Sequence, residues 1–301
     1  MRARILGSAA GGGFPQWNCA CPNCVLVRAG DESVRPGTQD SIALSSAGER
    51  WLVVNASPDI HRQIQAFPAL HPRGPRHTPI AAIALTNGDL DHVVGLLSLR
   101  ESQPLVVLAT ERVRAGLVEQ NAMLRTLART PDQVTWRRLE LGRELLLEDV
   151  GLGVTPVPAP GKLPVHLVGL SEPSPEDNVA LRVRDLATGR VLAIVTSVGA
   201  IDREIEALVR GADAVLFDGT FWSEDELIAL GLGRARARDM AHVPVGGPEG
   251  SLARLGALPA GARVFTHVNN TNPMLRAGGP ERRAVEQAGW QVAHDGMEIP
   301  L

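Results

Sequence analysis

Two polar segments of the chain contain residue types that bind metal ions and move protons. The first contains Asp89, Asp91 and His92, just after an apolar run that predicts a buried strand. It offers carboxylate oxygens and one imidazole at a strand end, where functional sites are commonly built. An aspartate that caps a helix beside a solvated histidine would give the same pattern. Taken alone, this segment predicts either a metal site or an ordinary helix start.

A second strand ends in a similar way. The segment 264–273 is an apolar strand that runs into His267 and then into a polar loop with Asn269, Asn270 and Asn272. A histidine that merely caps the strand end is the alternative. Two strand-end clusters in one chain favour one metal ion, since imidazole and carboxylate are common ligands of the same ion.

All three cysteines lie close together, as Cys19, Cys21 and Cys24. Thiolates this close, on a turn with Pro22 and Asn23, would converge on one soft ion. A closed structural zinc site needs four ligands. Three unrelated reduced thiols and a catalytic thiol are the alternatives. We expect a structural zinc ion that pins the neighbouring glycine-rich loop and takes its fourth ligand from elsewhere.

Strands and helices alternate along the chain and would position these residues. The predicted strands cover 2–7, 51–55, 80–86, 104–108, 179–183, 191–196, 213–217, 263–267 and 290–294, and the predicted helices cover 58–66, 111–128, 202–210, 223–230, 247–256 and 280–288. The segment 134–158 is strand-like with turns, and 156–164 is a proline-rich loop. Two sheets with helices outside them follow, an α/β protein with four layers. Because no linker is evident, we expect one domain over 1–301.

The composition excludes some classes of function. With 33 acidic and 30 basic residues, the formal net charge is −3, which argues against nucleic acid bound through a general basic surface. No signal pattern or long apolar window is present, so we expect a cytoplasmic protein without a membrane span. Lys162 is the only lysine. It marks either an accident of arginine-rich usage or a position where arginine would not serve. The oligomeric state stays open, with a homodimer as one option.

Several motifs resemble those of a known family. The pattern Thr-Asn-Gly-Asp-Leu-Asp-His, which ends at His92, resembles the His-x-His-x-Asp-His signature of the metallo-β-lactamase fold. The strand ending in Thr266-His267 resembles the part of that fold with its last metal ligand. The segments 6–24, 218–222 and 267–273 look like the coenzyme PQQ synthesis protein B family, and this likeness runs nearly end to end. The resemblance implies a four-layer αββα metallo-β-lactamase fold with an N-terminal cysteine-rich zinc knuckle.

The resemblance also implies which metal positions are lost. Hydrolases of this fold build two metal sites, and here Asn87 and Asp89 replace the first two histidines of the signature. A neutral amide is a poorer zinc ligand than imidazole. Thr196-Ser197 stand where a metal-bridging aspartate is expected. His166 matches the third ligand of this first site but lacks its companions. Asp89 would orient a ligand or bind at the vacated position.

The second metal site survives in the comparison, as Asp91, His92 and His267. Two imidazoles and one carboxylate with open positions suit non-haem Fe(II) and oxygen chemistry. The family works in the biosynthesis of pyrroloquinoline quinone (PQQ), which is made from a Glu and a Tyr of a precursor peptide. The resemblance therefore implies an iron-dependent hydroxylase that uses O2 on the tyrosine ring of a Glu-Tyr unit.

Further residues take roles from the same resemblance. Asp218 and His242 stand where related nucleases of the fold have a carboxylate–histidine pair for proton transfer. Lys162 would meet a substrate carboxylate as a flexible point charge. The substrate-binding residues would be Asn269, Asn270 and Asn272.

Two other functions remain open at this point. A soluble carrier that assists transport of PQQ or its precursor to the periplasm would bind PQQ without Fe(II). A zinc-dependent hydrolase of the metallo-β-lactamase superfamily would need two ions about 3.5–4 Å apart.

Overall fold

The computed structural model describes residues 1–101, 103–130 and 132–301. Its strands are β1 (Arg2–Gly7), β2 (Ser41–Ser45), β3 (Trp51–Val54), β4 (Ile80–Ala84), β5 (Leu105–Ala109), β6 (Val134–Arg138), β7 (Leu145–Leu147), β8 (Leu152–Pro158), β9 (Val179–Asp185), β10 (Val191–Val195), β11 (Ala214–Asp218), β12 (Ala262–Thr266), β13 (Gln291–Val292) and β14 (Glu298–Ile299). Its α-helices are α1 (Pro22–Arg28), α2 (Ile60–Ala66), α3 (Leu90–Val93), α4 (Glu111–Val118), α5 (Arg203–Arg210), α6 (Glu226–Ala229), α7 (Ser251–Leu255) and α8 (Pro280–Gln287). None of the helices described is long and apolar enough to cross a membrane.

The strands form two sheets of seven. Their orders are β14-β1-β2-β3-β4-β5-β6 and β13-β12-β11-β10-β9-β8-β7. Successive side chains of a strand point to opposite faces, so apolar residues on both faces bury both sides of a sheet. In β3, Leu52 and Val54 join the core between the sheets, whereas Trp51 and Val53 join the core under the outer helices.

Helices cover the outer face of each sheet and complete the four layers. On the second sheet, α5 begins where the Asp202 side chain accepts a hydrogen bond from the Ile205 backbone N–H. Ile205, Leu208 and Val209 follow at helical spacing, and all three are buried in the core beneath the helix. The four-layer αββα fold predicted from the sequence is confirmed.

The parallel strands bring the candidate site residues to one edge of the molecule. Strands β3 to β6 are parallel in the first sheet, and β10 to β13 are parallel in the second. The carboxyl ends of parallel strands lie at the same edge of a sheet, which is where α/β proteins commonly bind ligands. The loops after β3, β4, β8, β10, β11 and β12 supply the residues described below.

Several elements differ from the sequence prediction. The helix predicted over 111–128 ends at Val118 and is followed by a separate 3-10 helix, Leu124–Ala128. The Asn121 side chain accepts the N–H groups of Met123 and Leu124, so it competes with the continuing helix. Strand β2 was not predicted, and the 134–158 segment crosses from β6 in the first sheet to β7 and β8 in the second.

Candidate metal centre

Asp91, His92 and His267 converge from opposite sheets. Asp91 and His92 lie on α3 after β4, and His267 directly follows β12. Asp91 Oδ2 is 3.2 Å from His267 Nε2 and 3.8 Å from His92 Nε2, and the three donor atoms all lie within 4.8 Å of one another. Gly11 closes over the carboxylate: a Cβ at that position would lie 3.2 Å from Asp91 Oδ2. A side chain at residue 11 would therefore require the Asp91 carboxylate to shift by a few tenths of an ångström.

The hydrogen bonds of His92 leave its Nε2 free for a ligand. Thr86 Oγ1 lies 2.9 Å from His92 Nδ1 and donates its own hydrogen to Asn55 Oδ1 at 3.0 Å. A hydroxyl has one hydrogen to donate, so Thr86 must accept from a protonated Nδ1. His92 Nε2 then has a lone pair, and it is buried with no hydrogen-bond partner in the protein. A buried, unpartnered acceptor facing a carboxylate fits a cation.

The hydrogen bonds of His267 follow the same pattern as those of His92. Thr220 Oγ1 lies 2.9 Å from His267 Nδ1 and donates to Asp218 Oδ1 at 2.6 Å. His267 Nδ1 is thus the donor, and Nε2 is directed to Asp91. His267 has a φ of 54°, in the left-handed region, which is uncommon for a residue with a side chain. With both Nδ1 atoms engaged as donors, the Nε2 atom of each ring is the nitrogen that faces Asp91 and could bind a divalent metal.

The electrostatics of the three residues agree with a site for positive charge. Burial opposes ionisation of Asp91, yet His92 and His267 hold its pKa well below the usual range. Burial lowers the pKa of His92 to about 4, so this imidazole is neutral near pH 7. Burial opposes the charge on His267, but the hydrogen bond and charge of Asp91 raise its pKa to about 9. A metal ion bound by both Asp91 and His267 would have to displace the proton that this hydrogen-bonded pair holds.

Asp218 and His242 form a hydrogen-bonded carboxylate–histidine pair beside this set. Asp218 Oδ2 accepts from His242 Nδ1 at 2.7 Å and from the Val198 N–H at 2.9 Å, while Oδ1 accepts from Thr220. Although Asp218, His242 and His267 also bring three donors within 4.8 Å, the carboxylate is already used by these partners. With Nδ1 engaged, His242 presents Nε2 as its free nitrogen, and its ring stacks on His267 at 5.5 Å.

A pocket of about 330 Å³ opens over these residues. Its polar lining comprises Asn87, Asp89, Asp91, His92, Lys162, His166, Ser197, Thr220, His242, His267 and Asn269. Lys162 is exposed at this pocket. Burial and the nearby charge of Asp91 raise the pKa of Asp89. The structure thus brings together most of the residues singled out in the sequence.

Asn87 and His166 stand where the resemblance places ligands of a first metal site, and Asn87 makes other contacts instead. Asn87 donates from Nδ2 to Asn178 Oδ1 at 3.1 Å and accepts the Asp89 N–H at 2.9 Å. Its amide is therefore used to hold the loop. His166 lies in the pocket wall with its Nε2 buried and without a hydrogen-bond partner. Among the described residues, His166 belongs to none of the groups that bring three possible metal-ligand atoms within 4.8 Å of one another.

Two of the three asparagines assigned to the substrate do not reach the pocket. Asn270 is 2% exposed and contacts the cysteines, and Asn272 is fully buried, where it donates to the Gly219 carbonyl at 2.9 Å and accepts the Met274 N–H. The loop after His267 turns inward, so these amides satisfy buried polar groups. We correct the assignment of both residues. Asn269 does line the pocket.

The three cysteines form a separate buried cluster. Their Sγ atoms lie within 4.8 Å of one another, and none forms a disulfide. Burial raises the pKa of the Cys24 thiol to about 11. That value does not suit a nucleophilic thiolate at Cys24, which would need a lowered pKa. Burial opposes ionisation of Cys19, but hydrogen bonds from Cys21, Cys24 and Asn270 lower the pKa of its thiol. The geometry favours a metal-binding cluster over a catalytic cysteine.

Two facing sheets between outer helices, with metal-ligand residues at the strand ends, define the metallo-β-lactamase class of fold. In agreement, the family model described as "Beta-lactamase superfamily domain" matches residues 50–268. The chain belongs to the coenzyme PQQ synthesis protein B family. It is 50% identical to the protein of that name from Methylobacterium nodulans and 41% identical to that from Bradyrhizobium diazoefficiens, in each case over all of both chains.

Solved structures agree with this placement. The crystal structure of Zn²⁺-bound PqqB from Methylobacterium extorquens superposes with a TM-score of 0.92 at 45% identity, over all of both chains. A diphosphatase from the PhnP family superposes with a TM-score of 0.69 at 20% identity, over 99% of this chain and 97% of the other. The second likeness shows the shared fold.

Proposed function

We propose that this chain acts in PQQ synthesis as a mononuclear iron oxygenase that hydroxylates the tyrosine ring of a Glu-Tyr precursor. The observation that supports it most directly is the single set of Asp91, His92 and His267 at the floor of a pocket. Two histidines and one carboxylate with open coordination positions suit Fe(II) and O2. The family name supports a role in PQQ synthesis.

Asp91, His92 and His267 would hold the metal. A bound Fe(II) would supply the binding and activation of O2. Thr86 and Thr220 keep the two imidazoles in the tautomer that offers Nε2. The site combines this set with a pocket whose volume of about 330 Å³ is in the range of small-molecule sites.

The remaining pocket residues would position the precursor. Lys162 would pair with a carboxylate of the Glu-Tyr unit, and Asn269 would hydrogen-bond its polar groups. His242, oriented by buried Asp218, would take the phenolic proton at Nε2, which makes the ring more electron-rich. Asp89 would orient a bound group from the pocket wall. Insertion of one atom of O2 requires two electrons, which an external reductant would provide.

A zinc-dependent hydrolase is the second candidate, because a related protein has been crystallised with Zn²⁺. Hydrolysis by the two-metal route needs a second ion that clamps the leaving group. Asn87 is tied to Asn178 and the bridging aspartate is replaced by Thr196-Ser197, which favours the mononuclear oxygenase.

The proposal is tested by loading the protein with either Fe(II) or Zn²⁺ without oxygen, then adding a Glu-Tyr dipeptide, ascorbate and O2. We expect the Fe(II)-loaded protein to consume O2 and to form a product that is one oxygen atom heavier, and we expect neither result with the Zn²⁺-loaded protein. His267→Ala should lower this rate at least about 100-fold, because one ligand is lost. The matched control is His61→Ala, which removes an exposed imidazole from α2.

Each other function predicts a different result. Cleavage of a dipeptide or ester with Zn²⁺, together with two ions per pocket, would support the hydrolase and contradict the oxygenase. Tight binding of PQQ without Fe(II), and no hydroxylated product, would support the carrier.

A further inference from the structure

A second cavity, of about 230 Å³, lies behind the loop that presents His267. Val268 lines this cavity, whereas His267 and Asn269 on either side of it line the pocket of the candidate metal centre. Ser8 lines the cavity too, and its carbonyl accepts the Val268 N–H at 2.9 Å. The paired backbones of these two segments therefore separate the cavity from the candidate metal ligands.

Two arginine side chains, Arg35 and Arg282, line this cavity. Within the part of the chain that the structure describes, neither guanidinium forms an ion pair with a carboxylate. Glu32 also lines the cavity, but it is exposed and pairs with neither of them. Half-buried Arg282 donates from Nε to the Met274 carbonyl at 2.8 Å, and its terminal nitrogens donate to no described residue. Because buried arginines are usually paired, these nitrogens are suited to an anionic ligand.

The charges of the two arginines act on each other. Burial lowers the pKa of Arg282, the charge of Glu286 raises it, and the charge of Arg35 lowers it. Two like charges at one cavity disfavour each other. An anion between them would relieve this repulsion, and a guanidinium group matches a carboxylate through two parallel hydrogen bonds.

Much of the remaining wall is apolar. Phe14, Val268 and Val292 line the cavity and are buried, and partly buried Leu275 lies beside them. Such a wall stabilises the apolar body of a ligand by removing it from water. A bare phosphate or sulfate ion has no such body, so the combination of walls and charges fits an organic anion better.

We propose that this cavity is a second ligand site, which binds a small organic polycarboxylate with an apolar body about the size of one ring. Arg35 and Arg282 would each pair with a carboxylate, and the body would contact Phe14 and Val292. The cavity is smaller than the about 300–1,000 Å³ of most small-molecule sites, so the ligand would be small. The inference does not depend on which reaction the pocket of the metal centre performs.

Titration calorimetry of the zinc-loaded chain at fixed ionic strength tests the site. The probe is isophthalate, which carries two carboxylates on one benzene ring, and we expect saturable binding at a single site per chain. Arg35→Gln and Arg282→Gln should each weaken this binding at least about tenfold, because each removes charge-assisted hydrogen bonds to a carboxylate. Isophthalamide, which keeps the ring without the charges, should also bind at least about tenfold more weakly.

The matched control is Arg283→Gln, which removes an exposed guanidinium from the next position of α8 and should bind isophthalate as the wild type does. Equal affinity in Arg282→Gln and the wild type would overturn the proposal, because isophthalate would then bind elsewhere, such as at the metal centre. If Arg282→Gln does not fold, Arg35→Gln decides, since Arg35 is exposed. Inorganic phosphate that bound more tightly than isophthalate would contradict an organic ligand. Failure of the hydroxylation assay would alter none of these results.

Discussion

At the scale of single residues, the orientation of His92 in the candidate metal centre depends on the hydroxyl of buried Thr86. Asp40 accepts from Asn55 Nδ2 at 2.9 Å, Asn55 accepts the Thr86 hydroxyl, and Thr86 accepts from His92. All four residues are buried, so the direction of each hydrogen bond is set by the next. This series of hydrogen bonds begins at the Asp40 carboxylate, which can only accept, and ends at His92, whose Nε2 lone pair is left without a partner.

Thr86→Val removes the acceptor that holds the His92 tautomer while it keeps the shape of the side chain. We expect about 10- to 100-fold weaker metal binding at the pocket, since that is the usual cost of losing such a supporting hydrogen bond. A chelator competition with Zn²⁺ or Fe(II) measures it. Thr196→Val is the control, because Thr196 is equally buried and its Oγ1 has no hydrogen-bond partner. Equal affinity in both variants would contradict the role of Thr86.

Glu226 makes stability depend on pH. Burial raises the pKa of this carboxyl from 4.5 to about 7, although Thr271 and the Trp222 N–H donate to it. The folded state therefore binds the proton more tightly than the unfolded state does. Stability from this group is fully present below about pH 4.5 and is lost as the pH rises to about 7. The loss is on the order of 3 kcal/mol.

Glu226→Gln should remove this pH dependence. Denaturant unfolding at pH 5 and at pH 8 measures the free energy of unfolding of both proteins, and the variant should gain relative to the wild type at pH 8. Glu249→Gln, at an exposed site, controls for the loss of one charge. If the free energies of unfolding of Glu226→Gln and the wild type differed by the same amount at both pH values, Glu226 would not be the group that makes stability depend on pH.

At the scale of elements, the sequence predicts the strand ends better than the contacts between them. Apolar runs located most strands, and the polar residues after 80–86 and 263–267 were correctly expected to converge, as Asp91 and His267 show. These signals are local: a strand is apolar and the residues after it are polar. The prediction of one helix over 111–128 was wrong, because the Asn121 side chain accepts backbone N–H groups that a continuous helix would use.

The supporting contacts lie beyond such local patterns. Thr86 and Thr220 each stand directly in a strand-end motif, but nothing in the sequence shows that their hydroxyls face imidazoles. Asn270 is separated from Cys19 by 251 positions, so the sequence does not reveal their contact. Because asparagine is polar, the sequence instead suggested an exposed loop residue. Only the packing of the two sheets brings such residues together, and a buried asparagine then has to find polar partners.

At the scale of the whole molecule, the candidate metal centre takes its residues from both sheets. Asp91 and His92 come from the first sheet, and His267 from the second, so a cation bound by all three would connect the halves of the αββα fold. The unfolded chain does not hold these ligands in place. A metal that binds only the folded state stabilises it by about 2.7 kcal/mol when its concentration is 100 times the dissociation constant.

We therefore expect metal at the pocket to raise the free energy of unfolding, and His267→Ala to lose that increment. Denaturant titrations with and without added metal measure it, after chelator treatment of each protein. Any metal at the cysteine cluster contributes equally to both proteins, so the difference between them isolates the pocket. His61→Ala should keep the full increment, because its imidazole lies on the exposed surface of α2. An equal increment in His267→Ala and the wild type would mean that the ion binds without joining the sheets.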